Sequence, residues 1–186
     1  MLFQKSQTGE SALLRRLKAR DPKAMAELYD RYGGPAYSLI LRIVLVVPVA
    51  EDLLQETLLC VWNQAHAIDA EDGALGAWIL AVARKRAVRH LRSVDGRMRS
   101  STVELPELES PKNFSGLEVN AALPGRLHNA IAKLTPRQHQ VIEMAYYEGM
   151  SQTEIADRLR QPLDAVKTWT QEALRILRGE PEAAAV

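Results

Sequence analysis

The chain has 186 residues, with 24 Lys and Arg against 23 Asp and Glu, 47% hydrophobic and 5% aromatic residues. Those values describe an ordinary globular chain of one or two small domains and exclude a wholly disordered one. A single cysteine, Cys60, excludes an internal disulfide framework and a cysteine-built zinc site.

Abundant Ala and Leu and few β-branched runs favour an all-α fold. The N-terminal residues lack the apolar core of a signal peptide, and the longest apolar run, Ile43 to Ala50, is too short to span a membrane. A cytoplasmic protein without membrane insertion is therefore expected. In chain order, Asp21-Pro22 supplies an N-cap and an N1 proline for a first helix through Met25, Leu28, Tyr29 and Tyr32. Gly33-Gly34-Pro35 is expected to interrupt or kink it before a second apolar helix, Ala36 to Val47. Pro48 opens a third helix, to about Gln64, with Leu54, Leu58, Val61 and Trp62 at core spacing. A polar, acidic loop, His66 to Gly76, leads to a helix from about Ala74 to Ser93.

Residues 94–122 are rich in Ser, Pro, Gly and acid and hold no period, which predicts a linker between a domain at 1–93 and another at 123–180. In the second block Pro124 opens a short helix to Lys133. Thr135-Pro136-Arg137-Gln138 then forms a capping box for a helix ending near Gly149. Ser151-Gln152-Thr153-Glu154 is a second capping box, Arg160-Gln161 a tight turn, and Pro162 the start of a helix to about Arg178. Residues 181–186 form a tail.

The near-neutral total conceals a strong order of charge. Residues 1–92 carry 13 basic and 10 acidic side chains, 93–122 carry 3 and 5, and 123–186 carry 8 and 8. No Lys or Arg lies between Arg42 and Arg84, where six acids fall, whereas five of the nine residues 84–92 are basic.

Three surfaces stand out. On the helix from Pro48, Asp52, Gln55, Glu56, Leu59 and Asn63 share a face opposite Leu54 and Val61. It reads either as a solvated surface or, because Leu59 sits among acids, as a helix-docking one. On the next long helix, Trp78, Lys85, Arg89 and Arg92 lie within about 40° of one line. The cations suit phosphates and the ring suits stacking on an unpaired base; the other reading makes Trp78 a core residue and the charges a solvated face. The pair of helices from Ser151 to Arg178 fits a helix-turn-helix or a plain hairpin, with Lys167, Thr168, Gln171 and Arg175 on its outer face. Glu172 nearby would repel phosphate. His66, His90, His128 and His139 show no metal or triad spacing, and no phosphate loop or nucleophile elbow occurs. Neither enzymatic activity nor a cofactor is expected.

Together these residues resemble a known family. Glu27-Leu28-Tyr29-Asp30-Arg31-Tyr32, Ala50-Glu51-Asp52-Leu53-Leu54-Gln55-Glu56, Val61-Trp62 and Ala77-Trp78-Ile79 through Leu91-Arg92 resemble region two of bacterial sigma factors. Leu134 to Gln138, Glu148 to Ser151, Glu154-Ile155-Ala156 and Ala165 to Thr168 are similar to region four. Two such blocks without a region three resemble the extracytoplasmic-function, or group IV, sigma factors. The resemblance implies that Asp52, Gln55, Glu56 and Leu59 dock on core RNA polymerase, whose largest and flap-bearing subunits would both be partners. It implies that Trp78, Lys85, Arg89 and Arg92 act at the minus-ten element, and that Lys167, Thr168, Gln171 and Arg175 read the minus-thirty-five element. It further implies promoter DNA and an anti-sigma factor as partners. Lys85, Arg89, Arg160, Trp169 and Glu172 depart from the usual pattern. Rival readings are a sigma-like decoy, a polymerase-independent repressor and, more distantly, a metal-dependent nuclease.

Overall fold

The computed structural model describes residues 3–68, 75–94 and 123–179, with side chains described from 9, 75 and 128 onward in those segments. Every regular element among the described residues is helical. The chain divides into two compact units, one holding the described residues up to 94 and the other those from 123. Apart from Val94, the expected linker at 94–122 lies outside the described residues, as do the tail at 181–186 and Asp69, Glu71 and Asp72 of the acidic loop.

The first unit begins with α1 (Phe3–Lys18), a helix the sequence reading left out. Its signal is short: Leu13, Leu14 and Leu17 are buried on one face, and Arg15, Arg16 and Lys18 occupy the last turn, where cations suit the helix dipole. Arg20 turns the chain with φ 60° and reaches a residue 42 positions later, donating from Nη1 to the Trp62 carbonyl at 2.9 Å with its guanidinium 5.4 Å from the Trp62 ring centroid.

Asp21 then caps α2 (Pro22–Leu28): one carboxylate oxygen accepts from the Lys23 N–H at 2.9 Å and the other from Arg16 Nε at 2.8 Å. Arg16 continues to Glu27, which also pairs with Arg31, so one short network holds α1 against α2.

Gly33-Gly34-Pro35 was expected to interrupt or kink the helix, and α2 does stop at Leu28, although the chain stays helical. A single π-helical turn, Tyr29–Gly33, precedes α3 (Gly34–Val44), and widening the spiral there accommodates Pro35, which has no N–H to donate. Tyr32 on that turn donates its hydroxyl to Glu10 of α1 at 2.5 Å; burial and this carboxylate push its phenol well above the ordinary range.

Leu45 ends α3 in a left-handed conformation (φ 59°), and α4 runs Val47–Gln64 with Pro48 in its first turn. One 3-10 turn, Ala65–Ala67, follows, and α5 is Leu75–Val94. Helices α3, α4 and α5 pack on one another around Ile40, Leu58, Val61, Ile79 and Ala83. Small Ala83 and Ala87 let α5 come close to its neighbours.

The second unit contains α6 (Leu123–Ala132), α7 (Pro136–Tyr146), α8 (Gln152–Leu159) and α9 (Leu163–Arg178). Both expected capping boxes form, Thr135 with Gln138 and Ser151 with Glu154. Helix α7 ends three residues before the expected limit, because Gly149 (φ 63°) turns the chain and the Met150 N–H bonds back to the Met144 carbonyl at 3.2 Å. Val141, Met144, Met150, Ile155 and Val166 make the core, with Leu159, Leu163 and Trp169 packed on its margin.

Arg160, where the turn of such motifs commonly has glycine, adopts the glycine conformation, with φ 52° and ψ 47°. A Cβ in that region costs about 1–2 kcal/mol. Arg160→Gly is therefore expected to raise the melting temperature of the second unit, by the equivalent of about 1 kcal/mol after the entropy of glycine is offset. Unchanged or lower thermal stability by circular dichroism would mean the arginine side chain supplies a compensating contact.

In the first unit, the Arg16 guanidinium and the Lys23 N–H hold the Asp21 carboxyl below the usual aspartate range. A depressed carboxylate adds stability above its unfolded pKa, about 3.9, and loses it as pH falls through the folded value. Asp21→Ala should melt earlier than the parent at neutral pH, and the difference should shrink below about pH 4. A difference that persists undiminished into that acid range would contradict this.

Candidate protein and nucleic-acid interfaces

Helix α4 is fixed by its apolar side. Ala50, Leu53, Leu54, Leu58 and Val61 are buried, as is Thr57, whose hydroxyl donates to the Leu53 carbonyl at 2.7 Å. At about 100° per residue, Asp52, Gln55, Glu56 and Leu59 are left on the opposite side, and all four are exposed. Leu59 is 54% exposed in the middle of that polar face, an arrangement that favours covering by another helix.

Glu56 is engaged by a residue the sequence reading counted but did not single out. Arg86 Nη1 lies 2.7 Å from Glu56 Oε2, joining α5 to the acidic face of α4. The helical wheel carried that signal, because Arg86 falls between Ile79 and Val82 on the packed side of α5. As a largely solvated pair it contributes at most about 1 kcal/mol.

On α5 the structure corrects one expectation. Lys85 and Arg89 are exposed and Arg92 is half-buried, but Trp78 is 1% exposed and belongs to the core. Its ring is thus unavailable for stacking on a base. Trp78 shares its angle on the wheel with the basic residues, yet it lies seven residues earlier, about 10 Å along the axis, where packing extends around that side of the first turn. Its Nε1 is buried and finds no hydrogen-bond partner among the described residues.

The outer face of α9 is arranged against Val166 and Ala173, both completely buried. Lys167, Thr168 and Gln171 are exposed, and Arg175 is half-buried at the same face. The Thr168 hydroxyl donates to the Asp164 carbonyl at 2.9 Å, which commits its proton and leaves the methyl and lone pairs for a partner. The two departures that clouded this helix have structural uses. Glu172 accepts from Nε2 of the buried Gln138 on α7 at 2.9 Å, and Trp169 packs on the margin of the core. No sequence pattern links residues 34 positions apart, so the Gln138–Glu172 bond was invisible before folding. Among the described residues no cluster of His, Cys, Asp and Glu could hold a metal ion, and no helix is long and apolar enough to cross a membrane.

Comparison with known proteins bears on these surfaces. The family profile for sigma-70 region 2 matches residues 28–97, and that for sigma-70 region 4 matches residues 125–177. The ECF RNA polymerase sigma factor SigK of Mycobacterium tuberculosis is 33% identical over 173 residues, covering 90% of this chain and 91% of that protein. SigK of Mycobacterium ulcerans is 32% identical over 174 residues, covering 91% of each. Among solved structures, Rhodobacter sphaeroides SigE in complex with the anti-sigma ChrR aligns with a TM-score of 0.50 at 26% identity, over 93% of this chain and 98% of that one.

Burial of Trp78 makes a definite expectation. Trp78→Ala should destabilise the first unit by about 3–5 kcal/mol, whereas Trp78→Phe, which also removes the unpartnered N–H, should cost much less. Full thermal stability of the alanine variant combined with lost DNA binding would restore Trp78 to a DNA-contacting role.

Proposed function

The chain belongs to the ECF family of RNA polymerase sigma factors, and from that premise we propose how its surfaces divide the work of initiation. The protein directs core RNA polymerase to promoters. The exposed α4 face of Asp52, Gln55, Glu56 and Leu59 docks on the polymerase's largest subunit, with the two acids meeting basic groups and Leu59 meeting an apolar one. Lys85, Arg89 and Arg92 hold phosphates at the minus-ten element. Lys167, Thr168, Gln171 and Arg175 read the minus-thirty-five element from the major groove, beneath the flap-bearing subunit. Residues 94–122 connect the two parts, which would act on promoter elements too far apart for either unit to span.

What supports this most is the ordered presence in one chain of regions 2 and 4, each with a solvent-facing helix surface of the required chemistry. Each DNA contact is small, so polymerase association must supply the local concentration that makes two weak modules act together. The protein then works in the cytoplasm, catalyses nothing itself and needs no cofactor. An anti-sigma factor is the expected restraint, as in the complex formed by SigE of Rhodobacter sphaeroides.

Reconstituted transcription with core polymerase tests the assignment. The parent should initiate at discrete genomic promoters, and Asp52→Lys with Glu56→Lys should reduce polymerase co-purification at least about tenfold, the equivalent of 1.4 kcal/mol. Both positions are solvent-exposed, so folding should survive the change. A folded double variant that initiates as well as the parent would sink the α4 docking assignment; a parent that initiates nowhere would sink the function.

A further inference from the structure

We propose that Asp164 and Lys167 act together as the reader of one C·G base pair, with the Asp164 carboxylate accepting from the cytosine amino group. The inference rests on the reading of α9 as the helix that enters the major groove of the upstream promoter element, and it adds a residue that neither charge nor pattern had suggested.

Asp164 lies in the first turn of α9, the part of a recognition helix that approaches base edges. At about 100° per residue it sits in the middle of the arc occupied by Lys167, Thr168, Gln171 and Arg175. Its side chain is 94% exposed, and Lys167 Nζ lies 3.4 Å from its Oδ1. The cap of α9 does not use it: Pro162 holds the N-cap position and no side chain bonds there. A carboxylate placed toward DNA is repelled by phosphates unless a base supplies a donor.

The spacing of the two heads fits a single pair. In the major groove, cytosine N4 is a donor and guanine O6 an acceptor. They are bonded to each other, so they lie about 2.9 Å apart, close to the 3.4 Å between Nζ and Oδ1. Carboxylate on N4 and ammonium on O6 would each meet its complement. An A·T pair also offers a donor beside an acceptor, but adenine N7 turns a lone pair toward the carboxylate and the thymine methyl crowds the ammonium. A reversed G·C pair puts like against like. The carboxylate thus converts Lys167 from a general cation into half of a directional reader.

The test uses the full chain with core polymerase on promoter duplexes whose upstream element is randomised, with sequencing of the templates that are transcribed. The parent should prefer cytosine at one position by about fivefold or more. Asp164→Ala should flatten that position and leave the others unchanged, and Asp164→Asn should shift it toward adenine, whose N6 and N7 an amide pairs. A parent with structured preferences that both variants reproduce would overturn this inference alone. So would a uniform weakening across all sequences, or a lower melting temperature with the cytosine preference intact, since Asp164 would then serve only the N-terminal end of α9. A parent that initiates but shows no upstream preference at all would overturn the reading of α9 as well.

Discussion

A helix that gives one side to a small core has its other side decided for it, and the exposed faces of α4 and α9 both depend on that constraint. In α4, Leu54, Leu58 and Val61 occupy the side against α3 and α5, so Asp52, Gln55, Glu56 and Leu59 face outward as a set. In α9, Val166 and Ala173 are fully buried, and Lys167 and Gln171 follow on the outside. The outward residues can vary with little effect on folding, because the opposite side fixes the orientation of each helix. A scaffold of this kind can change promoter or partner without changing its core.

Packing alone is a weak guarantee in units this small, and local chain chemistry supports it. The second unit has few large apolar residues, yet α7 and α8 each begin and end on a defined backbone feature. Thr135 and Ser151 close capping boxes, Gly149 supplies one left-handed turn and Arg160 another. The Gln138–Glu172 bond then ties α7 to α9 outside the apolar core. Positions that matter for placing α9 are therefore polar as well as apolar. In the first unit Arg20 does the same over a longer reach, closing the end of α4 through the Trp62 carbonyl and ring.

Local signals were legible in the sequence and distant ones were not. Capping boxes, N-terminal prolines and the apolar period of α4, α5 and α9 depend on neighbours within a turn or two, and each gave the element observed. Helix α1 was overlooked because its three buried leucines fill barely two turns and its polar face resembles an unstructured leader. Gly33-Gly34-Pro35 marks a real interruption of the α-helix but not its form, since a π-helical turn can absorb a proline that an α-helical one cannot. Trp78 shows the limit of the helical wheel: an angle says which side a residue faces but not how far along the axis that side is covered. Glu172 looked like a charge against DNA until its partner 34 residues away came into view.

The order of charge along the chain acquires a physical meaning in the first unit. Acids without cations precede cations without acids, and the fold sets Glu51, Asp52 and Glu56 of α4 beside the basic run of α5, where Arg86 meets Glu56. Their fields oppose each other over a distance comparable to the Debye length, about 8–10 Å at physiological salt. The acids therefore weaken the field that the cations present to a distant polyanion, and at close range the sign depends on which helix is approached. Such a surface discriminates by contact rather than by long-range attraction. Under the proposed roles, a partner that covers the acids of α4 would remove their opposition and strengthen the local field of Lys85 and Arg89 toward phosphate. On the proposed division of surfaces, docking at α4 would then raise the affinity of α5 for DNA through electrostatics alone, with no change of backbone required.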